Sequence, residues 1–297
     1  MVTAKSFVKW AGGKSQLLTD IQKKYPIELG KTIDRYCEPF VGGGAVLFDV
    51  LSRYRLKEVL INDINKELVN TYEQIKLHVT ELINELENYQ STFWAMNTDE
   101  RKNYYYAKRE RFNYIKINGD EKANIEKATL FIFLNRTCFN GLFRVNSKGL
   151  FNVPMGSYKK PIICDECNLR RVSRLLQNVT LKCGDYTDCL SFIDFNTFVY
   201  IDPPYRPITK TSSFTAYAET RFDDKEQIEL GAFVNKIHLL GTKVVVSNSD
   251  PKNNDECDNF FDELYKTYRI ERVAAKRMIN CNGESRGDIS ELLISNY

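Results

Sequence analysis

A carboxylate, two prolines and an aromatic ring follow one another at Asp202, Pro203, Pro204 and Tyr205, straight after the apolar run Phe198-Val199-Tyr200-Ile201. Read as a buried strand, that run delivers all four residues to the carboxyl edge of a sheet, where open α/β proteins hold their ligands. The prolines restrict the backbone, so the carbonyls and the Asp202 carboxylate become fixed acceptors. Such acceptors suit an exocyclic amine: two hydrogen bonds draw its lone pair out of ring conjugation and leave it nucleophilic. Tyr205 can stack on the base that carries the amine. The plainer alternative is a proline-kinked strand exit with a surface aspartate.

A second constellation is the loop Glu38-Pro39-Phe40-Val41-Gly42-Gly43-Gly44, with Asp63 placed 21 residues after Gly42. Bare glycine backbone lets a ligand approach closely, and an acidic residue at that offset reaches ribose hydroxyls in a Rossmann-type sheet. The loop does not match G-x-G-x-x-G, and a triple glycine alone is as readily a tight turn. With Asp63 in place the pattern points to an adenosine-containing cofactor. Ala11-Gly12-Gly13-Lys14-Ser15 imitates a phosphate-binding loop but has Val8 where the first glycine of that motif must stand. Cys164-Asp165-Glu166-Cys167 with Cys183 and Cys189 imitates a zinc pattern, yet five residues separate the second pair, so buried, reduced thiols are expected instead. His78 and His238 lie in no motif, and no metal is expected.

These groups need a scaffold. Runs at 36–40, 58–61, 179–182, 198–201 and 243–247 read as strands, and 45–51 as a helix. The rhythm predicts an α/β fold with a doubly wound, mostly parallel sheet. Between about 67 and 160 the rhythm breaks into helical patterns at 68–89, 101–117 and 124–134. A hairpin pattern follows, Leu142–Val145 and Leu150–Val153 around the turn Asn146-Ser147-Lys148-Gly149. The expected organisation is therefore a catalytic domain in two parts, 1–66 and 166–297, interrupted by a recognition domain at 67–165. The stretch from Arg101 to Arg174 holds 16 basic and 6 acidic residues, net +10, which leaves net −7 elsewhere. A basic insertion flanked by acidic ends faces an anion such as nucleic acid, or is simply a solvated helical surface.

With 43% apolar and 12% aromatic residues in 297, the chain has ample surface to bury and is not disordered. Its apolar runs are far shorter than the roughly 18–20 residues that span a bilayer. The first residues lack the apolar segment of a signal peptide, so a cytoplasmic protein is expected.

Taken together, the motifs resemble those of the Dam-type, S-adenosylmethionine-dependent DNA adenine-N6 methyltransferases (D12 class, alpha group). Phe7 to Lys14 is similar to that family's N-terminal cofactor motif, Glu38 to Gly44 to its glycine motif, and Asp202 to Tyr205 to its catalytic motif. Asn135 to Arg144 and Phe151-Asn152-Val153-Pro154 resemble its target-recognition hairpin, and the tail from Ala275 to Ile294 is similar as well. The resemblance implies a Rossmann-like class I methyltransferase with an inserted helical and β-hairpin DNA-recognition domain. It implies that Trp10, Lys14, Asp63 and Asp202 hold S-adenosylmethionine, with Phe40, Gly42, Ile64, Asp185 and Tyr186 lining the pocket. It assigns the grip on a flipped-out adenine to Asp202, Pro203, Pro204 and Tyr205; flipping is required because N6 cannot meet the methyl donor inside the stack. By the same resemblance Phe139 wedges into the gap with Asn140 near the orphaned base. Leu142, Arg144, Pro154 and Tyr158 read flanking bases, and Lys9 meets the first guanine.

The implied reaction is direct in-line methyl transfer to adenine N6 in double-stranded DNA, within GATC, with a cognate restriction endonuclease as a functional partner. Met155 and Ser157 stand where an aromatic and an arginine are common in the family, which leaves the contacts beside Tyr158 open. The residues alone do not separate adenine N6 from cytosine N4; that choice rests on the resemblance. Methylation of another adenine-containing sequence, of RNA or of a protein amide is the enzymatic alternative. A catalytically silent DNA-binding regulator is the alternative outside catalysis. A two-stranded basic ribbon favours a duplex major groove, and the missing G-x-G-x-x-G disfavours an NAD-linked dehydrogenase.

Overall fold

Seven strands in the order β3-β2-β1-β4-β5-β7-β6 form one sheet in the computed structural model, which describes residues 3–10, 12–119, 124–206, 222–276 and 288–297. Strands β1 (Arg35–Glu38), β2 (Glu58–Asp63), β3 (Val179–Cys183), β4 (Thr197–Ile201) and β5 (Lys243–Ser249) run parallel. Strand β7 (Asp288–Ser295) enters antiparallel between β5 and β6 (Arg269–Lys276). β1 stops at Glu38 because Pro39 has no N–H to continue the ladder.

The central strands carry apolar side chains on both faces, as a sheet covered on both sides requires. Along β4, Phe198 and Tyr200 join one buried cluster while Val199 and Ile201 join the other. Helix α8 (Asp224–Leu239) covers the second face with Leu230, Val234 and Ile237. On the first face, Val46, Leu47, Phe48 and Val50 of α2 (Ala45–Arg53) pack with Val172 and Leu176 of α7 (Glu166–Leu176). A short α1 (Leu18–Gln22) joins the same face through Ile21, and α9 (Phe260–Leu264) joins the opposite face through Phe261.

Helices α3 (Lys66–Leu77), α4 (Val79–Ala95) and α5 (Thr98–Asn118) pack around α6 (Asn124–Thr137), which is buried from Ala128 to Asn135. Phe133 of α6 sits among Tyr89, Phe93, Tyr104 and Tyr105 at ring separations of 5.6 to 6.4 Å. The single helix expected over 68–89 is two helices. His78 is non-helical, and its N–H closes α3 on the Gln74 carbonyl while its own carbonyl takes the Leu82 N–H. Apolar periodicity continues across such a shared cap and hides it. The hairpin expected at 142–153 is a ribbon with one bridge, Val145 to Phe151, closed by the Asn146 turn. The Asn152 N–H to Arg144 and Asn146 N–H to Leu150 bonds flank that bridge, and Asn113 of α5 takes the outward-facing N–H and carbonyl of Phe151, which docks the ribbon on the helix.

Candidate active site

The loop after β1 meets the end of β2 as the spacing of Gly42 and Asp63 required. The Gly42 N–H donates to Asp63 Oδ2 at 2.9 Å, and the Asn65 N–H donates to Oδ1 at 2.9 Å. Burial pushes the Asp63 carboxyl above its ordinary range, and these backbone N–H groups pull the other way. Gly42 adopts φ +47°, and a Cβ there would stand 2.9 Å from the Trp10 indole, so only glycine fits. The Tyr72 hydroxyl donates to the Gly42 carbonyl at 3.0 Å and holds the loop from below. Asn62 ties the neighbouring loops together by donating to the carbonyls of Pro39 and Gly184. Phe40 and Tyr186 stack at 5.3 Å across these loops. Ile64 is exposed beside Asp63, and Asp185 is an exposed cap for the Thr187 N–H. Trp10 stacks on Phe143 at 6.0 Å.

The other centre forms where β4 ends. The Ser247 hydroxyl of β5 donates to Asp202 Oδ1 at 2.9 Å, and Lys14 Nζ pairs with the same oxygen at 2.8 Å. Lys14, only 3% exposed, also donates to the Tyr205 hydroxyl at 2.5 Å and the Gly12 carbonyl at 2.8 Å. The Tyr205 hydroxyl in turn donates to Glu291 Oε2 at 2.5 Å, and Lys14 Nζ lies 3.7 Å from that carboxylate. Burial raises the Asp202 carboxyl, with the Lys14 charge opposing, and raises Glu291 in the same way. Burial and these two carboxylates together raise the Tyr205 phenol well above its ordinary value, so it stays a neutral donor. Pro203 is buried, and the Pro204 carbonyl is engaged by the side-chain amide of Gln227 from α8 at 3.0 Å. Glu38, on β1 between the two centres, is buried on the Tyr36 hydroxyl at 2.7 Å and feels the charges of both Asp202 and Asp63.

A third group lies on the recognition side. Lys9 Nζ donates to the Tyr158 hydroxyl at 3.0 Å and sits 4.1 Å from its ring centre. Asn135 clamps the Lys9 backbone, accepting its N–H at 2.7 Å and donating to its carbonyl at 2.8 Å. Phe139 is 53% exposed at the end of α6, and Asn140 takes φ +55° in the turn that follows. Arg144 Nε donates to Asn152 Oδ1 at 2.8 Å, which aims the guanidinium across the ribbon. Leu142 is half-buried and Pro154 exposed, its carbonyl taking the Phe139 N–H.

The sites expected from sequence thus gather in three places. Lys14 and Asp202, both grouped with the cofactor residues by resemblance, pair with each other beside Tyr205. Ser247, Gln227 and Glu291 were not singled out from the sequence. Glu291 gives one faint signal, a charge heading the apolar run Leu292-Leu293-Ile294. Among the described residues no cluster of three or more His, Cys, Asp or Glu could hold a metal, and no helix is long and apolar enough to cross a membrane. The seven described cysteines are free thiols; Cys281 lies outside the described residues.

Comparison with known proteins follows the same lines. The family model described as D12 class N6 adenine-specific DNA methyltransferase matches residues 10–279. The chain is 49% identical over 295 residues to the Type II methyltransferase M.MjaIII of Methanocaldococcus jannaschii, covering 99% of each. It is 35% identical to the Type II methyltransferase M1.LlaDCHI of Lactococcus lactis subsp. cremoris, covering 100% of this chain and 96% of that one. The DNA adenine methylase of Haemophilus influenzae is 33% identical, with 97% and 92% covered. An acceptor-lined carboxyl edge on a seven-stranded, mostly parallel sheet, matched by that family model along most of its length, places the chain in the D12 class of N6 adenine-specific DNA methyltransferases.

Proposed function

We propose that this DNA adenine methyltransferase acts on an adenine flipped out of a GATC duplex, using Asp202, Pro203, Pro204 and Tyr205 as the amine site. The observation that carries the reading is an amine already seated there. Lys14 Nζ rests on Asp202 Oδ1 and lies 4.5 Å from the Tyr205 ring centre. The carboxylate and ring that hold this ammonium offer an N–H acceptor beside an aromatic face, the pairing that an adenine N6 would use. Asp202 and the Pro203 carbonyl would accept the two N6 hydrogens, and Ser247 steadies the carboxylate. Fixed acceptors of this sort act as positive charge develops on nitrogen, with no reorganisation at the moment of reaction.

The family implies S-adenosylmethionine as methyl donor. The loop residues fit an adenosine-bearing ligand: Gly42 leaves bare backbone where a Cβ would strike Trp10, Asp63 offers a carboxylate at the end of β2, and Phe40 and Tyr186 supply aromatic faces. When bound, that donor supplies a methyl group activated on a sulfonium. Trp10, Gly42, Asp63, Phe40, Ile64, Asp185 and Tyr186 would hold its adenosine end. Asp202 orients the amine toward the methyl and receives the proton that the amine sheds.

For the target, Phe139 is exposed next to Asn140 and bonded through its backbone to Pro154 and Leu142, Lys9 meets Tyr158, and Arg144 is held by Asn152. Their match to the family's hairpin pattern supports GATC. Two relatives bear Type II methyltransferase names, which supports pairing with a restriction endonuclease of the same specificity.

The test is methyl transfer from labelled S-adenosylmethionine to two duplexes that differ only as GATC and GTAC, at one stated salt concentration because phosphate contacts make binding salt-dependent. Label in the GATC duplex alone, recovered as N6-methyladenine, is the expected result; equal labelling removes the sequence assignment. Arg144→Ala should relax discrimination at one flanking position by about 1–3 kcal/mol, the contribution of a bidentate guanine contact. Measured as kcat/KM across single-base variants of the site, a uniform loss at every position would instead mark Arg144 as a phosphate contact.

A further inference from the structure

Lys14 occupies two groups that a target adenine needs, Asp202 as acceptor and Tyr205 as platform. The ammonium cannot be expelled to bulk water cheaply, because the side chain is 3% exposed and enclosed. A second carboxylate stands 3.7 Å away. Glu291 belongs to β7, the antiparallel strand, where it pairs with Ser249 at the carboxyl end of β5. Its side chain is 16% exposed and is joined to Tyr205 by the phenolic hydrogen bond. No other described acid lies within ion-pair distance of Lys14. The site therefore holds one ammonium and two carboxylates, with the ammonium 2.8 Å from Asp202 and 3.7 Å from Glu291.

We propose that Lys14 is a resident occupant of the amine site that passes from Asp202 to Glu291 when the target base enters, and that Glu291 is the positioning residue that receives it. Before the base arrives, Lys14 keeps Asp202 ionised and desolvated of water on its working oxygen. After it arrives, the pair Lys14–Glu291 keeps the ammonium buried beside the reaction without blocking it. Tyr205 bridges the two states, since its hydroxyl accepts from Lys14 and donates to Glu291. The inference rests on the amine-site reading given under the proposed function.

The experiment measures single-turnover methylation on whichever duplex is labelled in the GATC and GTAC comparison, together with duplex affinity and thermal midpoint. Glu291→Gln keeps the shape and the tyrosine hydrogen bond but removes the charge that would receive Lys14. The expected result is a single-turnover rate lowered about tenfold or more, with duplex affinity within about twofold, because coupled groups act on one step. Adding Lys14→Met to Glu291→Gln removes the stranded ammonium and, at a pH high enough to keep Asp202 ionised without its partner, should make the protein no slower than Glu291→Gln alone. A merely structural role for Glu291 would give two losses that add. A Glu291→Gln protein as fast as wild type, or a double variant slower than Glu291→Gln, overturns the proposal. If Glu291→Gln does not fold, Glu291→Asp with and without Lys14→Met carries the same comparison. Asp202→Ala run alongside separates the two readings. A silent Asp202→Ala protein keeps the amine site whatever Glu291 does, and methylation by it overturns the site itself.

Discussion

Asp202→Ala is expected to bind its duplex with near-normal affinity while methyl transfer falls by at least about 10²–10³ in kcat, the usual loss when one fixed group at a developing charge is removed. The separation follows from placement. Asp202 sits at the end of β4 among Lys14, Ser247 and Tyr205, whereas the exposed Phe139 and the Arg144 ribbon belong to the segment between β2 and β3. The fold should survive, because Glu291 stands 3.7 Å from the Lys14 ammonium that the substitution would orphan. Asp202→Asn should be similarly slow, since an amide offers only one oxygen and no charge. The pH profile of the unmodified enzyme has a definite sign. Burial raises Asp202 and Glu291 above the ordinary carboxylate range, and the proposed amine site and transfer of Lys14 need both ionised. Methylation should therefore fall on the acid side, beginning at a higher pH than an exposed aspartate or glutamate would give. Rapid-quench turnover with anisotropy on the same duplex checks both points. Full turnover in Asp202→Ala, or parallel loss of turnover and binding, would remove Asp202 from the chemistry.

Gly44→Ala is expected to destabilise the protein by about 2–5 kcal/mol, combining about 1–2 kcal/mol for a left-handed alanine with about 1–3 kcal/mol for overpacking. Gly44 has φ +72° at the start of α2. A Cβ there would overlap the Tyr72 hydroxyl and stand 2.9 Å from the Phe48 ring, both fully buried. Tyr72 is also the residue that donates to the Gly42 carbonyl, so its displacement reaches the loop beside Asp63. Urea unfolding should show the loss, and it should be partly recovered by saturating S-adenosylmethionine, since a ligand of the native state stabilises it. A change under about 1 kcal/mol would mean that Tyr72 and Phe48 shift without strain.

Much of this could be read before the fold was seen, and the reason is local. Gly42 and Asp63 are joined by one strand, one loop and one helix of predictable length, so their separation in the chain fixes their meeting in space. Asp202 and Tyr205 are adjacent, and the apolar run before them says which edge of the sheet they reach. That Lys14 meets Glu291 was out of reach for the opposite reason. Their meeting depends on β7 entering the sheet antiparallel beside β5, and strand order leaves no mark in a pattern of apolar residues. His78 hid for a related reason, being a cap shared by two helices whose buried stripes continue through it. The ribbon at 142–153 was legible from its turn, but its docking on α5 was not, since Asn113 meets the outward-facing backbone of Phe151 from 38 residues away.

The nested position of β7 also ties two properties to one strand. Without it, β5 has no neighbour on its outer side and β6 has no partner among the named strands. Such an open edge pairs readily with foreign strands. Residues 288–295 close that edge, and the same strand carries Glu291 to Lys14 and Tyr205. Protection from aggregation and completion of the charged cluster thus depend on the same seated strand, and a molecule in which β7 is displaced loses both at once.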